Sequence, residues 1–276
     1  MDIYDQLVKC TVKINCDDVS SGTGFFFKFD FGNDLFSPVI VTNRHVMENA
    51  QNIKLIFSLS DYFEGDDRCV ELEEINIYDV QNAVIYHENP DIDLCVIPIL
   101  SVFEYFKKYK QDPRISFLGF ENIPNNKQLE ELRFVEDIMM VGYPNGISDF
   151  KNNFPIFRKG ITATHPGVDF NGQPEFLVDM TIIPGSSGSP VFLINDSGFR
   201  DKLGNINIGA TRFYLLGINK AVFTANAEGK IVEIPAPTEL KVYSQIGINL
   251  GIIISAKELR YFEDEIKRRS NLGNNN

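Results

Sequence analysis

The chain has 276 residues, 43% of them hydrophobic, and carries 38 acidic against 26 basic residues for a formal net charge of −12. That length and apolar content suffice to bury a sizeable core, while the acidic balance argues against nucleic acid or an anionic membrane as the main partner. No uninterrupted apolar stretch reaches the roughly 18–20 residues that a membrane-crossing helix requires, and Met1-Asp2-Ile3-Tyr4-Asp5 lacks the basic, then apolar, start of a secretory signal.

The first hundred residues read as short β-runs rich in Val, Ile and Phe, at 9–15, 24–29, 38–42, 52–58, 69–78, 83–86 and 94–99, separated by Gly, Asn and Asp. The chain is expected to enter the first of these strands almost directly. Such spacing predicts an all-β barrel or sandwich. At 100–110 the apolar period shifts towards 3.6, which predicts a short helix. The polar stretch 111–128 reads as a crossing between two β units, and the second β set begins near Val135. Tyr143-Pro144-Asn145-Gly146 and Lys151-Asn152-Asn153 mark loops that could flank a cleft. Ser255-Ala256-Lys257-Glu258 fits a capping box, with Leu259, Phe262 and Ile266 on one face of a terminal helix that should pack on the second β unit. The implied division is 1–110, a linker 111–134, a second unit 135–254, a helix 255–270 and a frayed tail 271–276. Cys10, Cys16, Cys69 and Cys95 are scattered singly, with no C-x-x-C pair. They read as thiols rather than metal ligands, in an intracellular, cytoplasmic protein.

Chemistry concentrates in three places. Gly185-Ser186-Ser187-Gly188-Ser189-Pro190 is a glycine-flanked turn carrying hydroxyls between two β-like runs. A serine hydroxyl is a poor nucleophile unless an imidazole takes its proton and a carboxylate orients that imidazole. His45 supplies the base, directly after the apolar run 38–42, and Asp93 stands at the mouth of the run 94–99. Gly185 lets the backbone turn so that its own N–H and that of Ser187 can face one developing oxyanion, and Gly188 leaves room beside the nucleophile. Taken singly, each segment is as well explained by an ordinary turn or a capped loop. The order His45, Asp93, Ser187 with all three contexts present favours catalysis. Asp91 competes with Asp93 as the acid, because alternation puts both on one strand face.

These segments resemble the trypsin-like (chymotrypsin-fold) serine peptidases, and most closely the HtrA-like branch without its PDZ domains. Thr42-Asn43-Arg44-His45-Val46 is similar to that branch's T-N-x-H-V, and Asp93-Leu94-Cys95-Val96-Ile97 to its acid-bearing strand. Val141-Gly142-Tyr143-Pro144-Asn145-Gly146 resembles its G-x-P-x-G loop, Gly217-Ile218-Asn219-Lys220-Ala221 its substrate-pairing strand, and Ile246-Gly247-Ile248-Asn249-Leu250-Gly251-Ile252-Ile253 its closing strand. The resemblance implies two six-stranded antiparallel β-barrels with a C-terminal α-helix. It also implies a serine endopeptidase working through an acyl-enzyme, with His45, Asp93 and Ser187 as the triad and Asp93 preferred as the acid. The oxyanion hole would be formed by Gly185, Ser186 and Ser187. Thr181, Ile182, Ile218, Asn219 and Lys220 would line the substrate site. No metal or organic cofactor is implied.

The same resemblance sets expectations about specificity and control. Trypsin's cation-binding aspartate would fall where this chain has Thr181, so a basic side chain would lack a counter-charge. Ile182 would narrow the pocket, and Lys220 could attract an acidic side chain if it turned inward. Small or medium aliphatic residues are therefore expected before the cut. The aspartate that trypsin zymogens use for activation is replaced by Ser186, which leaves gating to loop ordering, a regulatory protein partner or homo-oligomerisation. His87 and His165 read as loop and turn histidines. The acidic segment 61–74 lies where some trypsins carry a calcium loop, and a solvated hairpin explains it equally. Two other classes remain open: an inactive peptidase-fold module that binds peptides or a partner, and an esterase using the same triad.

Overall fold

The computed structural model describes residues 2–33, 35–61, 69–109, 112–144, 149, 151–231 and 240–273. The first sheet comprises β1 (Thr11–Cys16), β2 (Ser20–Asp30), β3 (Phe36–Thr42), β4 (Ile53–Ser58), β5 (Leu72–Ile77), β6 (Ile85–Tyr86) and β7 (Cys95–Pro98). Its seven strands run in the order β5-β4-β1-β2-β3-β7-β6. The second set comprises β8 (Asp137–Gly142), β9 (Ile156–Thr162), β10 (Glu175–Asp179), β11 (Pro190–Asn195), β14 (Arg212–Ile231) and β15 (Leu240–Ser255), closed as a barrel in the order β10-β15-β14-β11-β8-β9. Between β11 and β14 a separate hairpin is built from β12 (Gly198–Arg200) and β13 (Ile206–Ile208).

The expected six-stranded closure is thus present in the second set. The first has seven strands and no closure among the described residues. Its edge strands are β5 and β6, and β6 is only two residues long, too short a ladder to seal the sheet.

The Phe run of β2 shows why the halves adhere. Side chains alternate across a strand, so Phe25, Phe27 and Phe29 enter one core while Phe26 enters another. The first of these cores also contains Val141, Phe192, Leu215, Ile218 and Ile254 of the barrel, so it is shared between the sheets. The second is the first sheet's own, capped by Val102 and Phe106 of α3 (Leu100–Lys108). A third, with Phe176, Val178, Val191 and Ile253, fills the barrel.

Four elements differ from the sequence expectations. A helix, α1 (Ile3–Cys10), precedes the first strand. Asp2 caps it by accepting from the Ile3 N–H at 2.8 Å, and Leu7 and Cys10 bury one face. The crossing 112–128 is not plain loop. Its backbone pairs with β2 through Leu118, and it holds the start of α4 (Asn126–Glu130) under an Asn125–Gln128 capping box. The terminal α5 (Arg260–Gly273), entered through a turn at Ala256–Leu259, does not pack on the barrel alone: Leu259, Phe262 and Ile266 join the core shared by both sheets. Finally, β14 and β15 form a long hairpin whose pairing continues to Ile231 and Leu240. Among the described residues no helix is long and apolar enough to cross a membrane.

Candidate active site

His45 lies in the single turn α2 (Arg44–Met47) that follows β3, and Asp93 lies just before β7. The two strands are paired, with Thr42 opposite Cys95, so base and acid emerge from adjacent strand ends. Asp93 holds His45 at two points. Its Oδ2 is 2.6 Å from His45 Nδ1, and its Oδ1 accepts the His45 backbone N–H at 2.9 Å. The carboxylate is largely buried, at 14% side-chain exposure, whereas the imidazole is 47% exposed. The Asp93 backbone is fixed as well: buried Asn43 donates from Nδ2 to its carbonyl at 2.8 Å, and Arg44 N–H donates at 3.3 Å. Asp91 is exposed and makes no such pair, so the structure brings Asp93 and not Asp91 to His45.

Ser187 sits in the turn before β11, with Gly185 at φ 84° and Gly188 at φ 83°. Both angles lie in the left-handed region that favours glycine. Gly188 also abuts the first sheet: a Cβ there would lie 2.0 Å from Thr23 O and 2.4 Å from Thr42 Oγ1. Thr42 is three residues before His45 in sequence, so the serine turn and the histidine occupy facing edges of the two sheets.

The backbone donors of the turn divide cleanly. Ser186 N–H donates to Ile183 O at 3.1 Å, Gly188 N–H to Asn219 O at 3.0 Å, and Ser189 N–H to Ser186 O at 3.1 Å. The N–H groups of Gly185 and Ser187 have no acceptor among the described residues. Two unpaired donors flanking a half-exposed hydroxyl form a ready anion site. No hydrogen bond joins Ser187 to the His45 ring among the described residues, a contact that substrate-free sites commonly form only when occupied.

The residues expected to line a substrate site are distributed unevenly. Thr181 is exposed, and its carbonyl accepts from Arg158 Nη1 at 2.5 Å. Ile182 is 7% exposed and packs in the barrel core against Val178 and Gly251, so little of it remains for a bound side chain. Ile218 belongs to the shared core and Asn219 is buried. Lys220 is engaged: its Nζ donates to Glu175 Oε1 at 2.8 Å. Asn145 and Gly146, expected to flank the cleft, lie outside the described residues, as does 62–68 of the acidic segment. Among the described residues no cluster of His, Cys, Asp or Glu could hold a metal ion.

His87 is more than a loop residue. It is buried, tilted against Tyr261 at 4.3 Å between ring centroids, and faces Glu258 at 3.7 Å. Burial pushes its imidazole below the ordinary value and pushes the neighbouring Glu258 carboxyl up. Its carbonyl accepts from Arg44 Nη2, which ties the terminal helix to the segment carrying His45. His165 opens a turn, its Nδ1 accepting from Gly167 N–H at 3.1 Å. The thiols of Cys10, Cys16 and Cys95 are buried, and burial raises the first two to about 12 and about 11.

Sequence reasoning assigns no role to Thr23, Asn43 or Arg158, and Asn219, expected to line the substrate site, is buried with its amide donating to Ser186 O. The cues were slight: Thr23 stands between Gly22 and Gly24, and Asn43 lies within the Thr42–Val46 segment.

Against known proteins, residues 22–198 match the family model described as the trypsin-like peptidase domain. A comparison with curated proteins finds no match. Among solved structures, the MamO protease domain from Magnetospirillum magneticum is 13% identical, covering 92% of this chain and 96% of its own, with a TM-score of 0.42. A scabies mite inactivated protease paralogue is 11% identical over 96% and 97%, with a TM-score of 0.48. A mutant of human heparin binding protein (CAP37) is 9% identical over 93% and 90%, also with a TM-score of 0.48. By the family match, which spans most of its length, the chain belongs to the trypsin-like peptidases.

Proposed function

We propose that the protein is a serine endopeptidase whose triad is His45, Asp93 and Ser187. Ser187 Oγ attacks the scissile carbonyl as its proton passes to His45 Nε2, and the negative charge settles on the carbonyl oxygen between the N–H groups of Gly185 and Ser187. Collapse of that adduct breaks the C–N bond, and His45 returns the proton to the leaving amine. Water, activated by the same imidazole, then releases the acyl group. Asp93 keeps the Nδ1 proton in place, which leaves Nε2 free to accept. The observation that carries this reading is the pair of unpaired N–H groups of Gly185 and Ser187, while those of Ser186, Gly188 and Ser189 are all bonded.

The likeness of Thr42–Val46 and Asp93–Ile97 to the HtrA-like branch is the finer placement we propose within the family. Buried thiols at Cys10, Cys16 and Cys95 fit a reducing, intracellular setting. For specificity, Thr181 offers no carboxylate and Lys220 is already paired with Glu175, so neither a basic nor an acidic side chain finds a dedicated counter-charge. Cleavage is expected after small or medium aliphatic residues. Profiling on a peptide library tests this: dominant cleavage after Arg or Lys refutes it, and dominance of Glu assigns selection to Lys220 or Arg158.

The activity itself is tested by a fluorophosphonate probe together with peptide hydrolysis. Wild-type protein should be labelled at Ser187. Ser187→Ala should abolish labelling and lower turnover on the order of 10⁴-fold or more, whereas Ser186→Ala should have a mild effect. Undiminished turnover in Ser187→Ala would falsify the assignment.

A further inference from the structure

We propose that Thr23 and Asn219 are positioning residues that lock the oxyanion loop, one from each sheet; the inference rests on the peptidase reading above. A peptide unit is planar, with its carbonyl oxygen and N–H pointing opposite ways. Holding one end of the unit therefore aims the other.

Three consecutive peptide units around the nucleophile are held in this way. In the Gly185–Ser186 unit, the carbonyl accepts from Thr23 Oγ1 at 3.0 Å while the N–H donates to Ile183 O. In the Ser186–Ser187 unit, the carbonyl accepts from Asn219 Nδ2 at 2.8 Å. That bond turns the Ser187 N–H away from Asn219, with no protein acceptor on its side. In the Ser187–Gly188 unit, the carbonyl accepts from Thr23 N–H at 2.9 Å and the N–H donates to Asn219 O at 3.0 Å. Thr23 holds the first unit, Asn219 the second and both the third, so between them they reach all three.

Both anchors are themselves fixed. Thr23 is fully buried in β2, at 0% exposure, and uses each of its polar groups. Its Oγ1 accepts from Tyr143 N–H at 2.9 Å, which commits the hydroxyl proton to Gly185 O, and its carbonyl accepts from Thr42 Oγ1 at 2.8 Å. Asn219 is 1% exposed, and its own N–H donates to Ser189 O at 2.9 Å. The loop is therefore clamped between the two sheets, and the unpaired Ser187 N–H, which belongs to one of these units, is aimed before substrate arrives, while the Gly185 N–H lies on the unit just before them.

The test compares wild type with Thr23→Val, Thr23→Ser and Asn219→Leu. Peptide turnover should fall roughly 10- to 100-fold in Thr23→Val, in kcat and not in KM, because misaimed oxyanion donors act only on the transition state. Affinity for a peptide aldehyde, which forms an oxyanion on Ser187, should fall in parallel. Affinity for the matching peptide alcohol should hold. Thr23→Ser, which keeps the hydroxyl, should restore most of the loss, a recovery that mere packing would not give. Hydrogen–deuterium exchange over 183–189 gives a readout independent of activity and should speed up in Thr23→Val and Asn219→Leu. If Thr23→Val does not fold, Asn219→Leu carries the same comparisons. Unchanged exchange in both variants, a loss confined to KM, or failure of Thr23→Ser to recover overturns the inference. A wild type that is neither labelled nor active, yet whose loop exchanges faster in both variants, refutes the peptidase reading and leaves the anchors standing.

Discussion

Replacing Asp93 by Asn is the sharpest probe of the base and its partner, because the two hydrogen bonds force the outcome. Asp93 Oδ1 accepts a backbone N–H, that of His45 at 2.9 Å, and a backbone donor cannot reverse its role. An asparagine must therefore place its oxygen there and turn its NH₂ toward Nδ1, where Oδ2 now lies at 2.6 Å. An NH₂ facing Nδ1 makes that nitrogen the acceptor and moves the ring proton to Nε2. Nε2 can then no longer take the Ser187 proton. The expected loss in kcat is about 10⁴, which is about 5.5 kcal/mol at 1.36 kcal/mol per decade. KM should stay within a few-fold, since Asp93 is aimed at the imidazole rather than the cleft. Folding should be little changed, as Asn43 Nδ2 and Arg44 N–H still hold the backbone carbonyl of residue 93. Asp91→Asn is the control and should cost less than about threefold, since the polar contacts of Asp91 are made by its backbone, with Asn89 Oδ1 at 3.0 Å and Lys220 Nζ at 3.5 Å. Steady-state peptide hydrolysis and the rate of fluorophosphonate labelling measure both variants. Turnover of Asp93→Asn within tenfold of wild type, or an equal loss in Asp91→Asn, refutes the reasoning.

Gly188→Ala should abolish labelling and destabilise the fold by about 2–5 kcal/mol in urea titration, combining left-handed backbone strain with overpacking against the Thr23 backbone; unimpaired labelling would contradict the close approach. Glu136 is 1% exposed and holds Arg212 through Nη2 at 3.0 Å, so Glu136→Ala, which strands a buried guanidinium, should cost about 3–5 kcal/mol by the same titration; a loss below about 1 kcal/mol would show the pair to be dispensable. His87 binds its proton less readily in the folded protein, because burial lowers its imidazole. As pH falls below the ordinary value of about 6.5, the unfolded chain takes up the proton first and stability drops. The raised Glu258 carboxyl acts in the opposite sense at lower pH. Thermal melting from pH 7 to pH 5 should therefore fall less steeply in His87→Gln than in wild type, and equal slopes would rule this out.

The parts of the site that were legible in sequence are those whose cues are local. His45 directly follows an apolar strand, Asp93 directly precedes one, and Ser187 lies between two glycines that its turn requires. Each signal fits within a few residues. Thr23 and Asn219 gave no comparable signal, because their partners are not local: Thr23 Oγ1 reaches Gly185 across 162 positions and Asn219 Nδ2 reaches Ser186 across 33. Pattern reasoning sees a polar residue in a strand there and no more. The helix α1 was missed for a different reason. Eight residues with two buried positions carry too short an apolar period to outweigh the neighbouring β-run. His87 reads as a loop residue because what buries it, Tyr261 and Phe262, arrives from the other end of the chain. The first sheet's edges likewise depend on which strands meet in space, which strand periodicity does not encode.

Two kinds of contact build the site, and they answer differently to disturbance. The His45–Asp93 pair belongs to one ladder, since Thr42 at the end of β3 faces Cys95 at the start of β7. Its geometry travels with the first sheet as a unit. The serine turn reaches that pair only across the boundary between the sheets, through Thr23 and Gly188 and over the shared apolar core. Displacing the barrel by even 1 Å would leave the base and acid intact while separating them from the nucleophile, and positioning errors of that size cost catalysis steeply. The apolar side chains at this boundary, among them Phe25, Phe27, Val141, Phe192 and Phe262, therefore bear on activity as well as on stability. Those confined to the first sheet's own core, such as Ile14, Phe57 and Phe106, bear chiefly on stability. The candidate site is, in this sense, the polar rim of a hydrophobic interface, and the hydroxyl of Thr23 marks where one passes into the other.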